Sequence, residues 1–232
     1  ILLGAGLGRL LKMDRDTALL TSIGSSICGA AAVLGAEPVV KSKPYKAAVA
    51  VSTVVIFGTL SMFLYPALYR AGMLNLTTEQ MGLFTGATLH EVAHVVGAGN
   101  AMGQAISDPA IIVKMIRVMM LAPVLVILSI ILARRDSAAG GNSEKRKITI
   151  PWFAFLFLAV IGFNSLHLLP AELVDAINTL DTFLLTMAMT ALGAESSFEK
   201  FKKAGARPFL LAGLLYVWLF FGGYWLVKLI SF

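Results

Sequence analysis

Charged residues and cysteine are both scarce in this chain. Charged side chains make up 14% of the 232 residues, whereas they make up about 25% of an average soluble domain. Cys28 is the single cysteine, which excludes an internal disulfide and a metal cluster built on cysteine. Hydrophobic residues account for 58% of the chain, and the mean hydropathy is +0.83. This composition excludes an ordinary soluble domain and indicates a membrane protein.

Seven apolar segments of membrane-spanning length account for this composition. A bilayer core admits only segments whose backbone polar groups are satisfied internally, and about 20 apolar residues in a helix cross it. The predicted fold is therefore all-α, a polytopic membrane bundle in a single transmembrane domain over residues 1–232. The predicted segments are 18–40, 47–69, 81–102, 110–133, 148–169, 173–193 and 208–230. The chain also opens inside an apolar run, from which we expect further N-terminal helices in the whole protein.

The net charge of +6 comes from lysine and arginine residues that cluster between the apolar segments. A basic protein can bind nucleic acid, but basic loops between apolar segments are typical of the cytoplasmic side of membrane proteins. The predicted partner is therefore the lipid bilayer, and no nucleic acid is expected to bind.

Two of the seven segments are poorly suited to face lipid. The first, "TSIGSSICGAAAVLGAEPVV", and the third, "FTGATLHEVAHVVGAGNAMG", carry polar residues and glycines within their apolar runs. Sliding the chain along itself until Gly24 lies on Gly86 also places Ala31 on Ala93, Val33 on Val95 and Gly35 on Gly97. With a shorter linker, "SMFLYP" then resembles "VMMLAP". The chain is therefore predicted to contain two copies of a broken segment followed by a spanning helix.

The sequence leaves two topologies open for the broken segments. If both are re-entrant, most of the 19 basic residues fall in cytoplasmic loops, whereas full crossing moves Lys41, Lys43 and Lys46 outside and Arg70 inside. The positive-inside rule favours the re-entrant model, in which one segment enters from each face and the two units are inverted. Inverted repeats with interrupted helices that meet near the bilayer midplane are typical of secondary transporters.

The third segment contains the pattern H-E-x-x-H at residues 90–94. On a continuous helix His90 and His94 would share a face and hold zinc, with Glu91 as general base and Asp181 of "TLDTF" as the candidate third ligand. Alternatively, these residues form a polar patch in a transporter, where both histidines exchange protons near neutral pH, or they are core polar residues with internal partners. We favour the transporter site and keep an intramembrane zinc metalloprotease as the alternative function.

The first broken segment offers a candidate anion site in "GSSICGA". Ser25, Ser26, Cys28 and Gly29 lie where a helix break can present backbone N–H groups to an anion. Close packing of small residues between helices explains the same stretch equally well. No neighbouring residue marks the Cys28 thiol as an activated nucleophile.

Two cations near the start of the fourth segment are further candidates. Lys114 and Arg117 lie three residues apart in "IIVKMIRVMML", and charge within a membrane segment is costly enough to indicate function. They are predicted to neutralise a dianion, the alternative being that both snorkel to the interface. Asp181 raises the same question in the sixth segment.

Several stretches resemble one known family. The stretches are "SSICGAAAVLGAEPVVK", "VVIFGTLSMFLYPALY", "LHEVAHVVGAG", "KMIRVMMLAPVL", "ITIPWFAFLF" and "LDTFLLTMAMTALG". Together they resemble the YeiH family of bacterial inner-membrane proteins, for which sulfate export has been suggested. The resemblance implies a multi-pass inner-membrane bundle with a likeness to bile-acid and sodium/proton transporter folds. Members often carry glutamine at the position of His94, so the resemblance does not imply a metal site.

The predicted function is therefore secondary transport rather than enzymatic catalysis. We expect export of a small inorganic or organic anion, with sulfate implied by the resemblance, by alternating access around the two broken segments. Coupling to H⁺ or Na⁺ stays open, as does a homo-oligomeric state. No cofactor is predicted.

Overall fold

The computed structural model describes residues 1–138, 152–166, 168–195 and 205–230, and these residues form eleven helices. The all-α prediction is confirmed for this part of the chain. The helices are α1 Leu2–Leu10, α2 Arg15–Ser26, α3 Ala30–Val40, α4 Pro44–Arg70, α5 Thr78–Thr88, α6 Val92–Met102, α7 Gln104–Met119, α8 Leu121–Ala138, α9 Trp152–Asn164, α10 Ala171–Glu195 and α11 Ala206–Ile230.

Three stretches of the described residues are long and apolar enough to cross a membrane: Pro44–Arg70, Gln104–Arg134 and Ala206–Ile230. The second joins α7 to α8. The predicted spans 148–169 and 173–193 correspond to α9 and α10, which are not among the three. The described part of α9 has 13 residues, and α10 carries Asp175 and Asp181 within its predicted span. Residues 148–151 and 167 of the predicted spans lie outside the described residues.

The first broken segment is a re-entrant hairpin formed by α2 and α3. Lys46 Nζ, just after the hairpin, lies 2.8 Å from a carboxylate oxygen of Asp14 and 2.8 Å from one of Asp16, at its beginning. Inside the hairpin the two helices are so close that a methyl group at Gly24 would lie 2.6 Å from Val33 Cγ2. The chain therefore enters and leaves on the same face, and the re-entrant topology is the one found.

The second broken segment, α5 and α6, is a hairpin that opens on the opposite face. α5 and α7 start at the same end, because a methyl group at Gly82 would lie 2.6 Å from Pro109 Cγ. The end of α6 meets the same end of α7, where Ser107 Oγ donates a hydrogen bond to Asn100 Oδ1 at 2.9 Å. We call the open end of each hairpin, opposite its break, its mouth. Since α4 runs from the mouth of the first hairpin to that of the second, the two units are inverted.

The two hairpins break in the register that the internal repeat predicts. α2 ends at Ser26 and α5 at Thr88, while α3 begins at Ala30 and α6 at Val92. Both pairs keep the register that lays Gly24 on Gly86. The outer ends are alike too, since side chains cap the first turns of both α2 and α5.

α11 packs against both hairpins. Near its beginning, Leu211 packs in a buried cluster with Ala18 of α2, and Arg207 donates a hydrogen bond to the Lys12 carbonyl at 3.1 Å. Near its end, a methyl group at Gly223 would lie 2.3 Å from Thr88 Cγ2 of α5. α11 therefore runs from the mouth of the first hairpin to the second.

Cysteine labelling tests this topology in intact cells. The positive-inside rule predicts that the basic open end of the first hairpin lies on the cytoplasmic side. We therefore expect Lys43→Cys to react with a membrane-impermeant maleimide only after the inner membrane is opened. Glu79→Cys, exposed at the mouth of the second hairpin, should react without opening. Cys28 is buried and should contribute little background. Labelling of Lys43→Cys from the periplasm would contradict the assigned orientation.

Candidate functional site

The two helix breaks, residues 27–29 and 89–91, contact each other inside the bundle, and we call this contact the crossing. Gly29, in the first break, has φ +76°, and a methyl group there would lie 2.3 Å from Glu91 Cγ of the second break. The Ala30 N–H donates a hydrogen bond to Glu91 Oε1 at 3.1 Å. The Glu91 carboxylate therefore caps the first turn of α3, although Glu91 itself precedes α6. Within the described residues, the predicted pairing of the two broken segments is confirmed.

Lys114 of α7 joins the inner ends of both hairpins. Its ammonium donates hydrogen bonds to the carbonyls of Ile27 at 3.3 Å, Leu89 at 2.7 Å and His90 at 2.5 Å. The carbonyls at the end of a helix carry partial negative charge and lack partners within the helix. Lys114 is fully buried, and its three N–H donors are matched to three carbonyls.

Arg117, one turn further along α7, makes a similar bridge. One guanidinium nitrogen donates to the Ala87 carbonyl at 2.6 Å and to the Leu89 carbonyl at 3.1 Å, both at the end of α5. The other nitrogen donates to the Ser26 carbonyl at the end of α2, at 2.9 Å. Neither cation snorkels to an interface. Their predicted role in neutralising a dianion stays a prediction, because in this structure their donors are directed to backbone carbonyls.

His94 lies beside the Glu91 carboxylate. Its Nδ1 is 3.7 Å from Glu91 Oε2, and its Nε2 is 3.4 Å from Thr59 Oγ1 of α4. The imidazole packs against Gly58, where a methyl group would lie 2.3 Å from Nδ1. Glu91 and His94 are therefore two buried titratable side chains in close proximity, and Nδ1 of His94 has no hydrogen-bond partner among the described residues.

His90 lies within the second break and is fully buried. Neither of its ring nitrogens has a hydrogen-bond partner, and its ring centroid lies 6.3 Å from that of Tyr216 in α11. Buried polar atoms without partners are uncommon, and each calls for an explanation such as a role in function or an ordered water.

The break also changes the geometry of the H-E-x-x-H pattern. The zinc motif needs both histidines one turn apart on a continuous helix, but α6 begins only at Val92, so His90 lies before it. Asp181 is exposed on α10 and does not join the breaks. In the described parts of the chain, no group of three His, Cys, Asp or Glu side chains lies close enough to hold a metal ion. This geometry does not favour the protease alternative.

The serines of the first break have different surroundings. Ser25 is buried, and its hydroxyl has no hydrogen-bond partner. The Ser26 hydroxyl donates to the Ser22 carbonyl at 2.6 Å. Cys28, which follows Ser26 by two residues and precedes Gly29, is also buried. Binding of an anion and close packing both stay predictions for this stretch.

An open pocket of about 530 Å³ lies beside Ile1, Leu2 and Leu3, the first residues of the sequence. Ser26, Ile27 and Arg117 line its inner end, and Met120 and Val124 are among the residues that line its wall. Arg117 is therefore the cation of the pair that borders this pocket.

Sequence reasoning did not find the residues that α4 and α11 contribute. Gly58 and Thr59 support His94, the Tyr65 and Thr88 hydroxyls are hydrogen-bonded at 2.9 Å, and Tyr216 faces His90. Gly58 carried a usable signal, because a lone glycine in a spanning helix marks a close approach between helices. Thr59, Tyr65 and Tyr216 carried no such signal, since single threonine and tyrosine residues also occur in ordinary membrane helices.

Comparison with known proteins agrees with the family resemblance. The family model described as conserved hypothetical protein 698 matches residues 1–212. A UPF0324 membrane protein of Bacteroides thetaiotaomicron is 69% identical over 229 residues, covering 98% of this chain and 68% of that protein. A UPF0324 membrane protein of Bordetella bronchiseptica is 54% identical over 231 residues, covering 99% of this chain and 71% of that protein. No solved structure matches the chain.

The inner membrane protein YeiH of Escherichia coli, also a UPF0324 protein, is 53% identical over 216 residues. The match covers 93% of this chain and 61% of YeiH, so the chain spans less than two thirds of that relative. The name of this relative and the three helices that can cross a membrane confirm the predicted inner-membrane location. The chain belongs to the UPF0324 family of membrane proteins, which includes YeiH.

Proposed function

We propose that this chain forms the translocation core of a secondary transporter that exports a small anion by alternating access. The observation that carries the proposal is the contact between the two breaks, at Gly29 and Glu91, of hairpins that enter from opposite faces. Transporters place substrate sites where interrupted helices from inverted repeats meet. A helix break is costly in a membrane because it leaves backbone groups unpaired, so two matched breaks favour a binding role.

Charge at the crossing supports an anion as substrate. The crossing contains two cations, the buried Lys114 and the half-buried Arg117, and one carboxylate, that of Glu91. The N-termini of α3 and α6 point at the crossing with partial positive charge, while the carbonyls at the ends of α2 and α5 bring partial negative charge that Lys114 and Arg117 offset. Sulfate is the first anion to test, since the family resemblance implies it.

The Glu91 and His94 pair supports proton coupling. The Glu91 carboxylate and the His94 imidazole lie 3.7 Å apart, beyond direct hydrogen-bond distance, and each is a titratable group that can take up a proton and release it when the hairpins move. Because Glu91 also caps α3, a change in its protonation acts directly on the contact between the two hairpins.

Flux measurements test the proposed function. The complete protein is reconstituted in liposomes, and uptake of ³⁵S-sulfate is followed with and without a pH gradient. We expect saturable flux that the gradient increases. Glu91→Gln keeps an oxygen to accept from the Ala30 N–H but cannot ionise, so we expect gradient-driven accumulation to fall at least tenfold while sulfate exchange continues. Glu79→Gln, the same change at an exposed site, should behave like the wild type.

The outcomes separate substrate from mechanism. Saturable flux of another small anion, with the same Glu91→Gln defect, would replace sulfate and keep the mechanism. No saturable flux of sulfate or of any small anion in a panel would overturn the proposed function. Equal gradient-driven accumulation in Glu91→Gln and the wild type would remove Glu91 from proton coupling.

A further inference from the structure

Backbone carbonyls from both hairpins form a cage around the Lys114 ammonium. Two of them belong to the second break, Leu89 and His90, and one belongs to the first, Ile27. All three lie at or just beyond the end of a helix that runs into the crossing. A cage of this composition is negative on its inner surface, and it closes only when both hairpins are in place.

Such a cage has the chemistry of a monovalent-cation site. In transporters with broken helices, unwound carbonyls and the C-terminal ends of half-helices coordinate the coupling cation. Potassium channels likewise use backbone carbonyls in place of the hydration shell of the ion. The three carbonyls around Lys114 come from these two kinds of position.

We propose that the carbonyl cage at the hairpin crossing is a monovalent-cation site that the chain fills with its own Lys114 ammonium. The Lys114 ammonium takes the place of a sodium or potassium ion, because it binds the Ile27 carbonyl of one hairpin and the Leu89 and His90 carbonyls of the other. The site is therefore closed to free alkali cations in the native chain. Removal of the lysine side chain opens it to sodium, potassium or a small alkylammonium ion.

The position of Lys114 supports this assignment. The residue is fully buried, and its three donors are used by the three carbonyls, so no donor remains for a substrate. Arg117 occupies the neighbouring carbonyls of Ser26 and Ala87 and shares the Leu89 carbonyl at 3.1 Å, so Lys114 is the cation that binds the Ile27 and His90 carbonyls. An ordinary ion pair does not explain the arrangement, because all of its partners are neutral carbonyls.

The inference also bears on coupling and there rests on the proposed function. If the crossing holds its own cation, the anion flux should not require sodium, and protons remain as the coupling ion. Replacing sodium with choline on both sides of the liposomes should leave sulfate flux unchanged.

The test measures stability, so it does not depend on transport. Melting temperatures of the complete protein in detergent are compared in choline, sodium, potassium and ethylammonium chloride at one ionic strength. We expect the wild type to melt at the same temperature in all four salts. Lys114→Ala should melt lower in choline, and its melting temperature should rise with the logarithm of the added sodium, potassium or ethylammonium concentration. At cation concentrations far above the dissociation constant, a tenfold increase in the cation should raise its folding equilibrium constant nearly tenfold.

Two further variants make the test specific. Lys114→Met fills the cage with an uncharged chain, so it should melt lower in every salt without recovery. Lys228→Ala removes an exposed lysine at the far end of α11 and should show no salt-specific change. If Lys114→Ala does not fold in choline, its recovery from membranes in each salt replaces the melting temperature as the measurement.

Three results would overturn the inference. The first is a melting temperature of Lys114→Met equal to that of the wild type. The second is a Lys114→Ala variant that melts at the same temperature in all four salts. The third is a wild type that melts at a higher temperature in sodium than in choline. Absence of anion flux would overturn the proposed function while leaving the stability result intact.

Discussion

Replacing Arg117 with alanine should lower the free energy of unfolding by about 3 kcal/mol, since each buried carbonyl left without a donor costs about 1–3 kcal/mol. The side chain donates to the Ser26 carbonyl of one hairpin and to the Ala87 and Leu89 carbonyls of the other. Its loss should therefore loosen both hairpins together. Denaturant-induced unfolding of the detergent-purified protein measures the change.

Arg117→Lys should lose nearly as much stability as Arg117→Ala. The planar guanidinium reaches both helix ends at once through two nitrogens, whereas one ammonium at that position cannot. Arg134→Ala, at an exposed arginine, provides the matched control and should change the free energy of unfolding by less than about 0.5 kcal/mol. Stability of Arg117→Ala equal to that of the control would show that its hydrogen bonds do not hold the crossing together.

Replacing Gly29 with alanine should destabilise the protein by about 3 kcal/mol or more and abolish transport. The residue has φ +76° and ψ −134°, a conformation that costs non-glycine residues about 1–3 kcal/mol. The added methyl group would also lie 2.3 Å from Glu91 Cγ, and overpacking of a buried site costs about 1–3 kcal/mol. Moving Glu91 away would break its hydrogen bond to the Ala30 N–H.

Gly72→Ala separates these two effects. Gly72 has φ +68°, and no atom lies within 4 Å of a methyl group built there. This variant should therefore show backbone strain alone, about 1–2 kcal/mol, with normal flux. Both variants are compared in the same unfolding and liposome assays. Equal losses in the two variants would mean that the close contact with Glu91 has no role of its own.

The architecture could be predicted from residue types that are out of place in lipid. Glycine, serine and histidine within apolar runs marked both breaks, and the repeat of Gly24 on Gly86 placed them in the correct register. Basic residues such as Lys43 favoured the re-entrant topology that the structure shows. These signals are strong because a membrane penalises polar residues and irregular backbone.

The partners of the site residues could not be predicted in the same way. Lys114 and Arg117 bind backbone carbonyls, which every residue possesses, so the sequence gives no sign of which ones they meet. Glu91 likewise caps α3 through a backbone N–H of the other hairpin. The spacing of His90 and His94 matched a helical zinc motif, but spacing alone does not reveal that the helix starts between them.

The location of Lys114 and Arg117 also bears on how the protein is made. Both lie on α7, which leaves the ribosome after the two hairpins whose inner ends they bind. Until then, the exposed carbonyls of the first hairpin have no donors at that depth, and each such group in lipid costs several kcal/mol. We therefore expect the first hairpin to wait near the membrane surface or beside the insertion machinery. Its final descent would follow the synthesis of α7, which makes membrane insertion of this region a late and concerted event.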